Sequence, residues 1–245
     1  MKDSTEISPL LQTLKDQKQS KLPGGIYHRI QIDLTYNSNH IEGSRLTHEQ
    51  TRYIFETNTI GVTDEALDVD DIIETTNHFR TIDYIIDTIH APLTEEYIKH
   101  LLLLLKSGTS DEGKDWFAVG DYKRLPNEVG GQETSAPENV HDDLSALLAE
   151  YNSIETPGLD DILDFHQRFE SIHPFQDGNG RVGRLLMFRE CLRSGIVPFI
   201  ITDELKMFYY RGLREWPRVR EYLRDTCLTA QDNFALLLDY FRIPH

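Results

Sequence analysis

The sequence predicts an all-α protein carrying one small β element. Apolar residues recur at three- and four-residue spacing along most of the chain, capping residues precede several of those runs, and only residues 119–137 lose the helical period. A chain of 245 residues can bury a sizeable core. We divide it into an N-terminal helical extension over residues 1–60 and a main helical domain over residues 61–245 that includes the C-terminal helices. No internal repeat, low-complexity tract or Pro/Ser-rich linker argues for a further division.

Residues 1–22 form a polar amphipathic lead-in with Ile7, Leu10, Leu11 and Leu14 on one face, ended by Pro23-Gly24-Gly25. Ile26, Ile30, Leu34 and Ile41 mark a helix, with Gly43 as its C′ residue. Thr47 and Gln50 make a capping-box pair for a short helix through Phe55. After a break at Gly61-Val62-Thr63, a long pattern runs from Val69 to Ile89 and ends before Pro92. Asp68, Asp70 and Asp71 complement the start of that helix. Thr94 caps the next, whose continuous leucines Leu101–Leu105 predict burial on most sides. Gly108 to Gly113 is a loop. Pro126 and Gly130-Gly131 make an irregular hairpin of residues 119–137. Pro137 opens a helix that places Val140, Leu144, Leu147, Leu148 and Tyr151 on one face. Pro198 breaks the chain later, before a short helix at Leu205–Leu213 and a last one from about Val219 to Tyr240.

A formal charge of −16 excludes non-specific binding to nucleic acid or anionic membranes, which requires basic patches. No run reaches the roughly 18 apolar residues of a membrane span. The start, Met1-Lys2-Asp3-Ser4-Thr5-Glu6, has no apolar signal core, and Cys191 and Cys227 support no disulfide framework. A soluble cytoplasmic protein is expected. A homodimer is compatible with the sequence, although no coiled-coil heptad or large apolar stripe requires one.

The chemistry concentrates in His173-Pro174-Phe175-Gln176-Asp177-Gly178-Asn179-Gly180-Arg181-Val182-Gly183-Arg184. Ile162, Phe165, Phe169 and Ile172 precede it at helical spacing, and Pro174 places His173 at that helix's end. Val182, Leu185 and Leu186 resume a helix, so Gly178-Asn179-Gly180 becomes a helix entry whose free N–H groups face an anion. Singly, these residues have ordinary roles: a charged His173 at a helix C-terminus, Asp177 or Asn179 as caps, glycines in turns. Arg181 and Arg184 do not, because cations in a first helical turn oppose the macrodipole by about 0.3 to 1 kcal/mol each. A bound polyphosphate offsets that. Asp177 alone is too few ligands for a metal cage but suits Mg²⁺ on substrate phosphates, and His173 can serve as base toward a hydroxyl. The residues therefore point to nucleotidyl or phosphoryl transfer.

This stretch resembles the signature of the Fic family, HPF-x-[DE]-G-N-G-R-x-x-R, at every fixed position. The resemblance implies a Fic-type helical bundle with a small β-hairpin flap, and transfer of AMP from ATP to a Ser, Thr or Tyr hydroxyl of a target protein, possibly itself. It implies His173 as the base, Asp177 as the Mg²⁺ residue, Gly178, Asn179 and Gly180 as an anion hole, and Arg181 and Arg184 on the outer phosphates. Val182 and Gly183 fall within the same nucleotide-binding segment. Gly180 and Arg184 argue against the Doc-like kinases, which lose that end of the motif. Gly120-x-Tyr122-Lys123, Asn127-x-Val129-Gly130-Gly131 and Pro137 resemble the flap, which covers the site and takes the target segment as an added strand. Asn127, Glu128, Val129 and Gly130 are thereby assigned to the nucleotide side, with Lys123 and Glu128 departing from the common pattern. Tyr209-Tyr210 resembles a pair near the adenine end, and ordinary aromatic core is an equal reading.

Ser38-Asn39-His40-Ile41-Glu42-Gly43 places a carboxylate in the last turn of its helix, against the dipole. It resembles the family's inhibitory motif [ST]-x-x-x-E-[GN], in the class whose regulatory helix precedes the core, here about residues 26–43. That implies Glu42, with Ser38, competing for Arg184 against ATP. The alternatives are removal of AMP from a modified target, use of another nucleotide, or a non-catalytic module whose flap captures a peptide. His141-Asp142 reads as surface helix, and His166, seven residues before His173, as a packing or supporting histidine.

Overall fold

A computed structural model describes residues 8–61 and 66–245. Ile7, Val62 and Thr63, used in the reading above, lie outside the described residues. The architecture is all-α, with ten α-helices and one two-stranded antiparallel sheet among the described residues.

Helix α1 (Pro9–Ser20) starts where the Ser8 hydroxyl accepts from the Leu11 N–H at 3.2 Å, and it buries Leu10, Leu11 and Leu14. The Gln17 side chain reaches past Gly25 to accept from the Tyr27 N–H at 3.0 Å, joining α1 to the start of α2 (Ile26–Ile41). A Cβ on Gly25 would lie 2.3 Å from that amide oxygen, which explains glycine at the junction. The Thr47–Gln50 capping box forms on α3 (His48–Thr57). Asp68 and Thr94 cap α4 (Val69–Asp87) and α5 (Glu95–Lys106) through side-chain acceptors.

The hairpin is short: β1 (Glu128–Val129) pairs with β2 (Gln132–Glu133) in the register Glu128↔Glu133 and Val129↔Gln132. Its turn has positive φ at both Gly130 and Gly131, the requirement of a type I′ turn. The chain continues through α6 (Val140–Asn152), α7 (Leu159–Ile172), α8 (Asn179–Arg193), α9 (Lys206–Glu215) and α10 (Glu221–Tyr240).

Helix α8 lies at the centre, packed by α7, α2, α4 and α5 and buried along nearly all its length. Its polar second half is stabilised from within. Glu190 accepts from Tyr151 Oη at 2.9 Å and pairs with Arg193 at 2.7 Å, while Arg189 pairs with Glu190 and lies 4.5 Å from the Tyr97 ring centre. One apolar cluster runs from Leu10 through Ile243, so residues 8–60 and the rest share a core. A smaller cluster gathers Leu46, Ile54 and Phe79. No described helix is long and apolar enough to cross a membrane.

Three readings need correction. Leu103 is 40% exposed, because the leucine run keeps helical phase and only Leu101, Leu102 and Leu105 point inward. Pro137 opens a 3₁₀ turn (Pro137–Asn139), and the α-helix begins at Val140. The last two helices begin at Lys206 and Glu221, one and two residues later than expected, a normal uncertainty of frayed ends.

Candidate active site

His173 ends α7 in the left-handed conformation, with φ of 51°, and Gly178 precedes α8 with φ of 86°. The loop between them is fixed by Asn179. Its side-chain oxygen accepts from the Phe175 N–H and its amide donates to the Phe175 carbonyl, both at 2.8 Å. The Asn179 side chain is thus spent on holding the loop, and only its backbone can face an anion. The Val182 N–H already donates to the Gly178 carbonyl at 3.0 Å and the Gly178 N–H turns to the Asp177 carboxylate, so the free donors are the backbone N–H groups of Asn179 through Arg181. Val182 points into the core, and Gly183 abuts α7, where an added Cβ would lie 2.4 Å from Glu170 Oε1. Neither offers a side chain to a ligand; their place is behind the site.

The His173 Nδ1 lies 3.2 Å from the Glu170 carbonyl. A carbonyl only accepts, so Nδ1 carries the proton and Nε2 keeps its lone pair. Burial lowers the imidazole pKa, and Lys123 adds to that, which keeps the ring neutral.

Both arginines are buried and paired. Arg184 donates from Nε to Ser38 Oγ at 3.1 Å, and from Nη2 to the Ser38 carbonyl at 2.8 Å and Glu42 Oε1 at 2.7 Å. The Glu42 oxygen lies over the start of α8, where a Cβ on Gly180 would approach it to 2.2 Å. A carboxylate from the end of α2 therefore occupies an anion position at a helix N-terminus. Arg181 pairs with Glu74 and, through Nη2, with Asp177 Oδ2 at 3.0 Å. The charges read from sequence as compensated by phosphates are here compensated by Glu42, Glu74 and Asp177.

Sequence reasoning missed several of these partners. Glu74 and Lys106 lie on the buried stripes of α4 and α5, and a charge on an apolar stripe was the available signal. Lys106 contacts Glu74, Asp111 and Asp177. Asp177 is held well below the usual carboxylate range by Arg181 and Lys106, which outweigh its burial. Lys123, 3% exposed, donates to Asn127 Oδ1 and Thr134 Oγ1 at 2.7 Å and to the Ile172 carbonyl at 3.2 Å. Asn127 donates to the Phe175 carbonyl at 2.9 Å. These bonds tie the hairpin to the loop, so the Asn127 side chain is a brace. Glu128, Val129 and Gly130 remain exposed on the hairpin.

Tyr209 is buried with its hydroxyl 2.6 Å from His166 Nε2, which makes both packing residues behind Arg184. Tyr210 is 38% exposed and donates to the Ile41 carbonyl at 3.3 Å, touching the end of α2. His141 is an exposed helix residue beside Glu95, as expected.

Burial lowers the pKa of His78 and of His166 to about 3 and raises that of Glu170 to about 8. Between the ordinary glutamate and histidine pKa values of 4.5 and 6.5, the unfolded chain holds a proton at each histidine that the folded chain lacks, and the folded chain holds one at Glu170. From these groups stability rises with pH by about 1.4 kcal/mol per unit in that window. From there up to about pH 8 only the Glu170 proton remains, and stability falls at the same rate. Thermal denaturation against pH is expected to peak near the ordinary histidine pKa, and Glu170→Gln to flatten the alkaline side.

A family model described as Fic/DOC family matches residues 92–191. The protein adenylyltransferase Fic of Drosophila grimshawi is 31% identical over 187 residues, covering 73% of this chain and 36% of that protein. That of Drosophila willistoni is 32% identical over 190 residues, covering 73% and 35%. The chain thus matches about a third of the length of these curated relatives. A crystal structure of a Fic domain containing signaling protein from Bacteroides thetaiotaomicron superimposes with a TM-score of 0.68 at 26% identity, covering 95% of this chain and 92% of that one. Fic-1 (residues 134–508) from C. elegans shares the fold, with a TM-score of 0.71 at 19% identity over 95% of this chain and 72% of its own. The loop from His173 to Arg184, lying within the matched residues and on the matched fold, belongs to a member of the Fic/DOC family.

Proposed function

We propose that this chain transfers AMP from ATP to a Ser, Thr or Tyr hydroxyl on a protein, and that Glu42 restrains it. The carrying observation is His173, held with a bare Nε2 at the edge of a helix N-terminus that already accommodates a carboxylate. In this reading Nε2 takes the proton of the target hydroxyl, the oxygen attacks the α-phosphorus, and pyrophosphate leaves. Arg181 and Arg184 grip the outer phosphates, and the backbone N–H groups of Asn179 to Arg181 face the developing charge.

Asp177 fits one Mg²⁺ contact. Its Oδ2 is held by Lys106 and Arg181, and its side chain is 52% exposed, leaving Oδ1 to offer. Mg²⁺ there would neutralise phosphate charge and favour departure of pyrophosphate. The target segment would pair along the exposed hairpin beside Val129. The adenylyltransferase names of the relatives support the AMP reading.

The test is label position. With ATP labelled at the α-phosphate, label and the mass of one AMP should appear on a hydroxyl residue; incorporation from the γ-phosphate instead would mean a kinase. GTP and CTP in parallel fix the base preference. Gly180→Ala supplies a second check, because its methyl would enter the anion position beside Glu42 and Arg184. Overpacking of this kind costs about 1 to 3 kcal/mol, so nucleotide affinity should fall roughly 5- to 150-fold even after Glu42 is removed.

A further inference from the structure

Lys106 ends α5 inside the molecule, 3% exposed, and its ammonium meets one oxygen of each of three carboxylates. Glu74 Oε1 and Asp111 Oδ2 lie at 2.5 Å and Asp177 Oδ2 at 2.7 Å. Oxygens of these acids lie within 4.8 Å of one another, an arrangement that would suit a divalent cation. The middle is filled: an ammonium has three N–H donors, and each has its acceptor. Arg181 closes the cluster by pairing with Glu74 and Asp177, and Lys114 lies 2.5 Å from Asp111 Oδ1. Three acids thus face three bases, and the group is neutral without an ion.

This arrangement fixes Asp177 from one side. Its Oδ2 accepts from both Lys106 and Arg181, and no side chain among the described residues pairs with Oδ1. Glu74, touching both cations, sets the spacing between Asp177 and Arg181.

We infer that Lys106 is a positioning residue of the nucleotide site: a built-in cation that fills the three-carboxylate cluster, holds Asp177 by Oδ2 and leaves Oδ1 as the oxygen offered to a metal–nucleotide complex. The inference rests on the role of Asp177 proposed above. It excludes Glu74 and Asp111 as metal ligands. It also means that metal arrives with nucleotide, because one carboxylate oxygen is too little to hold the ion alone.

The probe is Mn²⁺, followed by electron paramagnetic resonance and by thermal unfolding with and without EDTA. Without nucleotide, the intact protein should show no tight Mn²⁺ site. Lys106→Ala should vacate the cluster and gain a site at least about tenfold tighter, with a Mn²⁺-dependent rise in melting temperature, whereas Lys106→Met fills the space and gains none. A folded Lys106→Ala protein that responds to Mn²⁺ like the intact one overturns the inference. Asp111→Asn supplies a gentler arm: Mn²⁺–ADP affinity should stay within about twofold, and a loss of about tenfold or more would place the metal in the cluster and overturn it as well. If Asp177→Asn leaves Mn²⁺–ADP binding intact, the proposed role of Asp177 fails, while a Mn²⁺ site gained by Lys106→Ala would still identify Lys106 as the built-in cation.

Discussion

Replacing Glu42 with glycine is expected to raise AMP transfer by about ten- to a hundredfold, the range in which coupling between two competing occupants usually falls. The reason is geometric. Arg184 is 4% exposed and cannot swing out to meet a phosphate, so an incoming nucleotide must displace the Glu42 oxygen 2.7 Å from its Nη2. The same oxygen blocks the start of α8 above Gly180. Glycine removes both obstructions and suits the backbone, because Glu42 only terminates α2 at ordinary dihedrals. The change has a cost. A buried arginine loses its carboxylate, and breaking such pairs costs about 3 to 5 kcal/mol when fully enclosed. The cost here is smaller, since Glu42 is 30% exposed and Ser38 still offers its hydroxyl and carbonyl. Two measurements check this together: the rate of AMP incorporation, and the rise in melting temperature on adding MgATP. The variant should melt lower than the intact protein alone and gain more from nucleotide. An unchanged rate in a folded variant would remove Glu42 as the restraint.

The pairing of Glu42 with Arg184 was legible because both charges oppose the dipoles of their helices. Two locally unfavourable charges of opposite sign are explained when the fold brings them together, as it does here at 2.7 Å. His173 was legible for a similar local reason, since Pro174 forces the helix to end there. The helices themselves followed from apolar spacing and caps, and the hairpin from loss of period around Gly130-Gly131. What stayed hidden was the distant pairing of the remaining buried charges. In sequence Glu74 and Lys106 show only as charges interrupting apolar stripes and Asp111 as a loop acid, and only the packing of α4 and α5 against α8 gathers them around Asp177. Lys123 was read as a departure from a flap pattern, yet its contacts with Asn127, Thr134 and Ile172 make it the brace of the hairpin. Glu170 gave no signal because in sequence it sits among Gln167, Arg168, Ser171 and His173 like a solvated helix-end charge, and only the close approach of α8 at Gly183 buries it. The arginines showed the limit of dipole reasoning, which identified a need for negative charge and could not say whether protein or ligand supplies it.

His173→Ala should lower AMP transfer by about 10²- to 10⁴-fold, the usual loss of a positioned general base. The fold gives little reason for a larger collapse. His173 takes the left-handed conformation with φ of 51°, which alanine adopts at modest cost, and the loop is held independently by Asn179 and Asn127. Nucleotide binding should therefore survive, with the loss falling on kcat and KM for ATP nearly unchanged. The pH profile separates the base from a merely structural residue. A base must be neutral, so activity should fall as pH drops through the His173 pKa. Burial holds that pKa below the ordinary imidazole value of about 6.5, and the acid limb should lie on the acidic side of it. In His173→Ala the limb should vanish, leaving a low, flat rate. If the alanine variant instead kept the same limb at reduced height, the titrating group would lie elsewhere and Nε2 would not be the proton acceptor. Combining the change with Glu42→Gly sharpens the reading: relief of restraint raises the occupancy of a productive nucleotide and cannot replace a missing base. The double variant should therefore bind MgATP like Glu42→Gly and transfer AMP no faster than about a hundredth of its rate.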